Sequence, residues 1–202
     1  MTTGIVVCGG RSTRMGRDKA SLPFGDETLL ARVVRLVGES VDHVIVVARD
    51  GQDPFPGLPG RVTVIRDRVD DLGPLAALAL GLEASTTELN FVTACDMPLI
   101  QPAVIRRLLA LVDDADACVP VDDEQVMVLC AVYRRSLAAA AGQLVAAGQL
   151  RLRSLLEGAT TKRVDTALFR DIDPRLESFL SCDTPEAYQR ALVRLKPDTT
   201  SA

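Results

Sequence analysis

The sequence predicts a three-layer, Rossmann-like α/β fold: a mostly parallel sheet covered by helices on both faces, with a mixed C-terminal edge. Three observations predict it. Short β-branched runs alternate with helix-length amphipathic stretches as far as Val121, the pattern that gives parallel strands joined by right-handed crossovers. Those strand-like runs are almost continuously apolar, as burial on both faces demands. The chain has 202 residues, the length of one α/β domain or at most two small ones, and a chain of that size buries roughly 70% of its unfolded surface.

Gly4–Cys8 (GIVVC) reads as the first buried strand, and a loop rich in glycine and charge runs from Gly9 to Gly25. Asp26 can cap a helix through about Val37, striped by Leu29, Leu30, Val33, Val34, Leu36 and Val37. His43–Ala48 is a second strand, and the proline- and glycine-rich stretch 50–60 is loop. Val62–Ile65 is a third strand, followed by a helix opened by Pro74 and continued by Leu75–Leu82. Leu89–Cys95 is a fourth strand, Pro102 opens a helix through about Val112, and Ala117–Val121 is a fifth strand. Beyond it, Gln125–Tyr133 (QVMVLCAVY) reads as one long strand. Helices over about Arg135–Ala147 and Leu152–Leu156, weak strands near Lys162–Val164 and Ser178–Leu180, and a closing helix at Pro185–Leu195 complete the pattern. No linker or repeat divides residues 1–195, which are expected to form one domain, with 196–202 a frayed tail.

Composition excludes several classes of function. The net charge of −4 disfavours a general nucleic-acid or anionic-membrane binder. No apolar run approaches the ~20 residues that span a bilayer, and no signal peptide is expected from MTTGIVVCGGRSTRMG, which has no basic n-region before its short apolar stretch. With His43 the only histidine, polyhistidine zinc sites are impossible and any catalytic triad would need that residue. His43 begins a strand at the end away from the ligand crevice, so it is read as structural. Cys8, Cys95, Cys118, Cys130 and Cys182 are odd in number, far apart and set in apolar runs. They are expected to be reduced, mostly buried thiols of a cytoplasmic protein.

The strongest chemical signal is the loop CGGRSTRMGRDKASLPFG, which leaves the carboxyl end of the first strand, where open α/β sheets bind ligands. Gly9 and Gly10 let backbone approach a ligand closely. Arg11, Arg14, Arg17 and Lys19 place four cations within nine residues, an anion cradle suited to a polyphosphate. The spacing is neither Walker A nor GxGxxG, which removes the Rossmann oxidoreductase reading. Asp96, at the end of the fourth strand, points a carboxylate into the same crevice and can serve as one of the one or two carboxylates that Mg²⁺ takes beside phosphate oxygens. Asp67, ending the third strand, can accept from a ribose or a base; Asp70 and Asp71 are read as charges approaching the next helix. Asp183 or Thr184 suits the start of the last helix, and Asp183 is also a candidate second metal ligand. Arg151 and Arg153 are candidate ligands for an acceptor phosphate, or else part of a solvated helix face.

These blocks resemble the molybdenum cofactor guanylyltransferases, within the wider glycosyltransferase-A-like nucleotidyltransferases. CGGRSTRMGRDKASLP is similar to their nucleotide-binding signature, RDRVDDLGPLAAL to a second block, CDMP to their metal block and CDTPEAY to a C-terminal block, in the same order. The double glycine leans toward guanylyl- over cytidylyl-transferring relatives. The resemblance implies guanine contacts from Val7, Cys8 and Gly9, phosphate contacts from Arg14 and Lys19, a nucleoside contact from Asp67 and Mg²⁺ binding by Asp96. Two positions depart from the pattern. Arg49 stands where the family has Asn and cannot copy an amide that both donates and accepts, and Ser181-Cys182-Asp183 replaces Asn-Val-Asn. The implied reaction joins GMP from GTP to the phosphate of molybdenum-molybdopterin cofactor, releasing pyrophosphate. Implied partners are GTP, the molybdopterin cofactor, and molybdoenzyme apo-proteins or other cofactor-biosynthesis proteins. The competing readings are a cytidylyltransferase or other nucleotidyltransferase on a small phosphorylated acceptor, and a nucleotide-binding cofactor chaperone without turnover.

Overall fold

The computed structural model describes residues 1–8, 18–52, 55, 58, 62–67 and 73–195. In chain order the first elements are β1 (Thr2–Cys8), the short strands β2 (Pro23–Phe24) and β3 (Glu27–Thr28), α1 (Leu29–Gly38), β4 (His43–Arg49) and β5 (Val62–Asp67). Then come α2 (Gly73–Ala84), β6 (Leu89–Ala94), α3 (Pro102–Leu111), β7 (Ala117–Asp122), β8 (Gln125–Val126) and β9 (Cys130–Arg134). The last are α4 (Leu137–Ala146), α5 (Leu152–Glu157), β10 (Thr161–Asp165) and α6 (Pro185–Leu195).

Among the described residues one sheet has the order β10-β7-β9-β6-β1-β4-β5, with β8 paired to β7. β1 lies inside it, parallel to β4 on one side and to β6 on the other, and is buried from Thr3 to Cys8. Its alternate side chains serve two cores. Val6 and Cys8 face α1 and α3 through Leu30, Val33, Val104 and Ile105. Ile5 and Val7 face α2, α4 and α5 through Leu75, Leu78, Ala141 and Leu155. Two buried faces explain why β1 and β4 carry no polar alternation. The helix α2 lies close against β1, because a Cβ on Gly81 would sit 2.6 Å from Ile5 Cγ2.

Four elements differ from the sequence expectation. Thr28, not Asp26, caps α1, its hydroxyl accepting from Ala31 N at 3.1 Å. Residues 23–28 instead form the β2–β3 hairpin, turned through Gly25 at φ +68°. The run Gln125–Tyr133 is not one strand: β8 folds back on β7, and β9 runs separately, antiparallel to both β6 and β7. The reversed strand therefore lies within the sheet on its C-terminal side, while the margin strand β10 is parallel to β7. Ser178–Leu180 is not a strand; Glu177–Phe179 is a 3-10 turn.

Candidate active site

The site is built where β1 and β6 end. Cys95 N donates to the carbonyl of Val7 at 3.0 Å, extending the β1–β6 ladder by one residue and placing Asp96 at the sheet's carboxyl edge. Asp18 starts a 3-10 turn over Lys19–Ser21, its carboxylate accepting from Ala20 N at 3.2 Å. That turn projects Lys19 toward Asp96. From the far end of the chain, Cys182 N donates to the carbonyl of Asp96 at 2.8 Å and brings Asp183 alongside. Thr184 takes over the cap of α6, its hydroxyl accepting from Ala187 N at 3.1 Å, which leaves the Asp183 carboxylate to the site.

Lys19 Nζ lies 2.8 Å from Asp96 Oδ2 and 2.7 Å from Asp183 Oδ1. Ser181 Oγ donates to the other Asp183 oxygen at 2.7 Å. The Asp96 side chain is 12% exposed and that of Asp183 57%, so the cluster has a closed and an open side. Burial pushes Asp96 above the ordinary carboxylate value and the Asp183 charge adds to this, against the pull of Lys19. Burial acts on Asp183 in the same direction, but hydrogen bonds from Lys19 and Ser181 outweigh it and hold its value low. For Lys19, burial lowers the value and the two carboxylates reverse that, leaving it raised. At neutral pH two carboxylates and one ammonium leave one negative charge in excess.

That excess and the hard oxygen donors fit a divalent cation such as Mg²⁺, which takes one or two carboxylates and completes its shell with water and phosphate oxygens. Among the described residues no group of three or more His, Cys, Asp or Glu could hold a metal. A divalent ion held by Asp96 and Asp183 would therefore draw its remaining ligands from water or a bound molecule.

A buried amide, not anticipated from the sequence, orients the lysine turn. Gln52, 8% exposed, donates through Nε2 to both Asp18 oxygens at 3.1 and 3.0 Å and accepts on Oε1 from Arg49 N at 2.9 Å. Arg66 Nη1 in turn donates to the carbonyl of Gln52 at 2.6 Å. The signal available in the sequence was only a glutamine inside a proline- and glycine-rich loop.

The other expected residues divide. Val7 is a ladder residue between β4 and β6, and Cys8, paired to Ala48 of β4, follows it at the carboxyl end of β1. Asp67 ends β5 opposite Arg49. It stands two strand spacings from β1, roughly 10 Å, and lines a cavity with Ala76 and Ala79 of α2 and Ala138 of α4. Gly9, Gly10, Arg11, Arg14 and Arg17, with Asp70, Asp71 and the tail 196–202, lie outside the described residues. Arg151 and Arg153 are exposed and pair with neither Asp96 nor Asp183. His43 sits at the amino end of β4, as expected from the sequence, with Nε2 2.9 Å from Thr63 Oγ1. All five cysteines are free and buried. No helix among the described residues is long and apolar enough to cross a membrane.

Comparison with known proteins identifies the family and the fold. The family model described as MobA-like NTP transferase domain matches residues 4–166. A protein of Mycobacterium tuberculosis named "Probable molybdenum cofactor guanylyltransferase" is 40% identical over 168 residues, covering 80% of this chain and 82% of its own. A protein of the same name from Mycobacterium marinum is 39% identical over the same length and coverage. Among solved structures, the molybdopterin-guanine dinucleotide biosynthesis protein A of Archaeoglobus fulgidus superposes with a TM-score of 0.80 at 22% identity, over 95% of this chain and 97% of that one. At that identity the likeness is one of fold.

Proposed function

This chain belongs to the MobA-like NTP transferase family, and from that premise we propose that it transfers GMP from GTP to the phosphate of molybdenum-molybdopterin cofactor, forming the guanine dinucleotide cofactor and pyrophosphate. The observation that carries the chemistry is the convergence of Lys19, Asp96 and Asp183 at the carboxyl edge of the sheet. The observation that carries the substrates is the name shared by relatives about 40% identical.

The chemistry asks little covalent help from the protein. A phosphate monoester has its second pKa near ~6, so the acceptor is already a dianion at neutral pH. One of its oxygens attacks the α-phosphorus, and the bond to the β-phosphate bridging oxygen breaks, so pyrophosphate leaves with the electron pair. No general base is needed, which suits a site without histidine. Lys19 neutralises charge on the phosphates, with Arg14 proposed beside it; Asp67 contacts the nucleoside, and Val7 through Gly10 with Arg11 border it. Asp96 and Asp183 would hold Mg²⁺, which when bound supplies charge neutralisation at the α-phosphate and the leaving pyrophosphate.

The direct test is pyrophosphate release from GTP and molybdopterin cofactor, with and without Mg²⁺. Release that needs GTP, acceptor and metal together is expected. GTP binding without release would favour a cofactor chaperone. Arg49 stands at the end of β4, where the family pattern carries Asn, so a thermal-shift panel of GTP, CTP, ATP and UTP decides the base. Stabilisation by CTP and not by GTP overturns the guanylyl assignment. Lys19→Ala and Asp96→Ala are each expected to lower kcat/KM about 10²-fold or more, the scale of losing an electrostatic stabiliser. Near-wild-type turnover in either folded variant contradicts these roles.

A further inference from the structure

The contact between Lys19 and both carboxylates has a consequence for the order in which the site fills. One ammonium already accepts the role of counter-ion to both acids: Nζ is 2.8 Å from an oxygen of Asp96 and 2.7 Å from an oxygen of Asp183. A divalent ion on those same oxygens would bind at ~2.0–2.1 Å. The ammonium and the metal then compete for the same lone pairs, and as two cations a few ångströms apart they repel strongly in a partly buried site. Asp183 is the more exposed acid, so solvent ions reach the cluster; access does not limit metal binding. The number of ligands and the charge already present do. Two carboxylates give Mg²⁺ only part of its shell, and one of the two negative charges is cancelled by Lys19.

A triphosphate removes both obstacles at once. Its oxygens supply the missing metal ligands, and its negative charge offers Lys19 another anion. Lys19 is carried on a 3-10 turn, and its flexible four-carbon stem lets the ammonium reach for a second anion.

We propose that in the nucleotide-free protein Lys19 occupies the cation position of the Asp96–Asp183 couple and excludes a divalent ion, which enters only with the triphosphate that draws the ammonium away. The proposal rests on the nucleotidyltransferase reading of this site and deepens it. It makes metal and nucleotide binding cooperative, and by linkage the factor by which nucleotide raises metal affinity equals the factor by which metal raises nucleotide affinity.

The test is Mn²⁺ binding to the full chain without nucleotide, followed by the electron paramagnetic resonance signal of free aqueous Mn²⁺. Lys19→Met is expected to bind Mn²⁺ alone about tenfold or more tighter than the wild type, within the range of ordinary site coupling. Adding Asp96→Ala to that variant should abolish the gain, locating the ion at this couple. Equal or weaker Mn²⁺ binding by folded Lys19→Met overturns the proposal. If that variant does not fold, the wild type alone decides: Mn²⁺ affinity must rise about tenfold or more with saturating non-hydrolysable GTP or CTP analogue. No rise with either overturns the proposal. A rise with the CTP analogue only upholds it while removing the guanylyl assignment. If Lys19→Met shows no gain in Mn²⁺ affinity while the wild type releases pyrophosphate from GTP and acceptor, the proposal alone falls and the nucleotidyltransferase reading stands.

Discussion

Gln52 joins two loops that the sequence gives no reason to associate. Its amide satisfies the Asp18 carboxylate and the Arg49 N–H together, and Asp18 begins the turn that carries Lys19. Gln52→Ala would leave a partly buried donor and a partly buried acceptor short of partners, a loss of about 1–3 kcal/mol. It would also release the turn, so KM for the nucleotide should rise more than kcat falls, with kcat/KM lowered about tenfold. Gln52→Glu should be worse than Gln52→Ala, since it sets a second carboxylate against Asp18 at hydrogen-bonding distance. Steady-state kinetics with a urea titration of each variant checks this, and a Gln52→Glu enzyme matching the wild type would discard the clamp. The site was legible where a residue type announces its chemistry. Lys19 follows a glycine- and arginine-rich loop, and Asp96 ends a buried apolar strand. Asp183 was ambiguous, because the same stretch serves as a helix start; the structure gives the cap to Thr184 and the carboxylate to the site. Gln52 was illegible because an amide in a loop signals nothing until the fold sets it beside residue 18.

At the scale of elements, α1 and the segment leading to α6 are held by carboxylates of different kinds. Glu27, just before the Thr28 cap, accepts from Arg35 Nη2 at 2.8 Å and Nε at 3.1 Å. The Arg35 hydrogen bonds hold Glu27 below its ordinary value, with Arg32 adding to them. A depressed carboxylate contributes stability above its unfolded value, ~4.3, and loses it as pH falls through the lower folded value. Arg35 is 44% exposed, and solvent screening keeps the contribution to about 0.5–1 kcal/mol. Glu27→Gln should cost that much in urea melts at pH 7 and almost nothing near pH 3; a gap that widens in acid would reverse the sign argued here. Asp173 is buried, and its carboxylate accepts from Glu177 N at 3.1 Å and Ser178 N at 2.8 Å. It thereby fixes the turn whose Ser178 hydroxyl accepts from Gln101 N at the start of α3. Asp173→Ala strands two backbone donors and should cost about 2–4 kcal/mol, with Asp173→Asn losing less; a urea midpoint for Asp173→Ala at the wild-type value would refute this. This turn also explains a misread element. Ser178–Leu180 looks like a short strand until Asp173 closes it into a 3-10 turn. Gln125–Tyr133 misled for a related reason. The run holds no glycine, proline or asparagine, and its break is tertiary: Met127 N donates to the Pro120 carbonyl and Tyr133 Oη to the Val128 carbonyl. By contrast β1, β4 and β6 were readable, because two-sided burial leaves one apolar signature for any neighbour.

Over the whole molecule, the site depends on joining the two ends of the chain, for Lys19 and Asp183 are 164 residues apart in sequence. The polar contacts are short but partly exposed, and on their own they would not hold such a closure against chain entropy. A separate apolar cluster does. Leu22, Phe24 and Leu29 from the hairpin region pack with Cys182 and Ala191 from the C-terminal segment. Tyr188 of α6 donates to the Pro23 carbonyl and tilts against the Phe24 ring, with centroids 6.2 Å apart. Phe24 is fully buried, and the Arg32 guanidinium lies 5.4 Å from its centroid. The cluster lies between the lysine turn and α6, so its loss should be felt in both stability and chemistry. Phe24→Ala is expected to cost about 3–5 kcal/mol and, in whatever fraction stays folded, to raise KM for the nucleotide as Asp183 loses its fixed place beside Lys19. Phe24→Leu keeps most of the apolar volume, so it should cost less and leave KM near the wild-type value. Urea unfolding and nucleotide kinetics on the pair of variants separate packing from coupling. If Phe24→Ala loses the predicted stability while its nucleotide KM stays at the wild-type value, α6 closes the fold without positioning the site, and the Lys19–Asp183 contact must be set by the 3-10 turn and Gln52 alone.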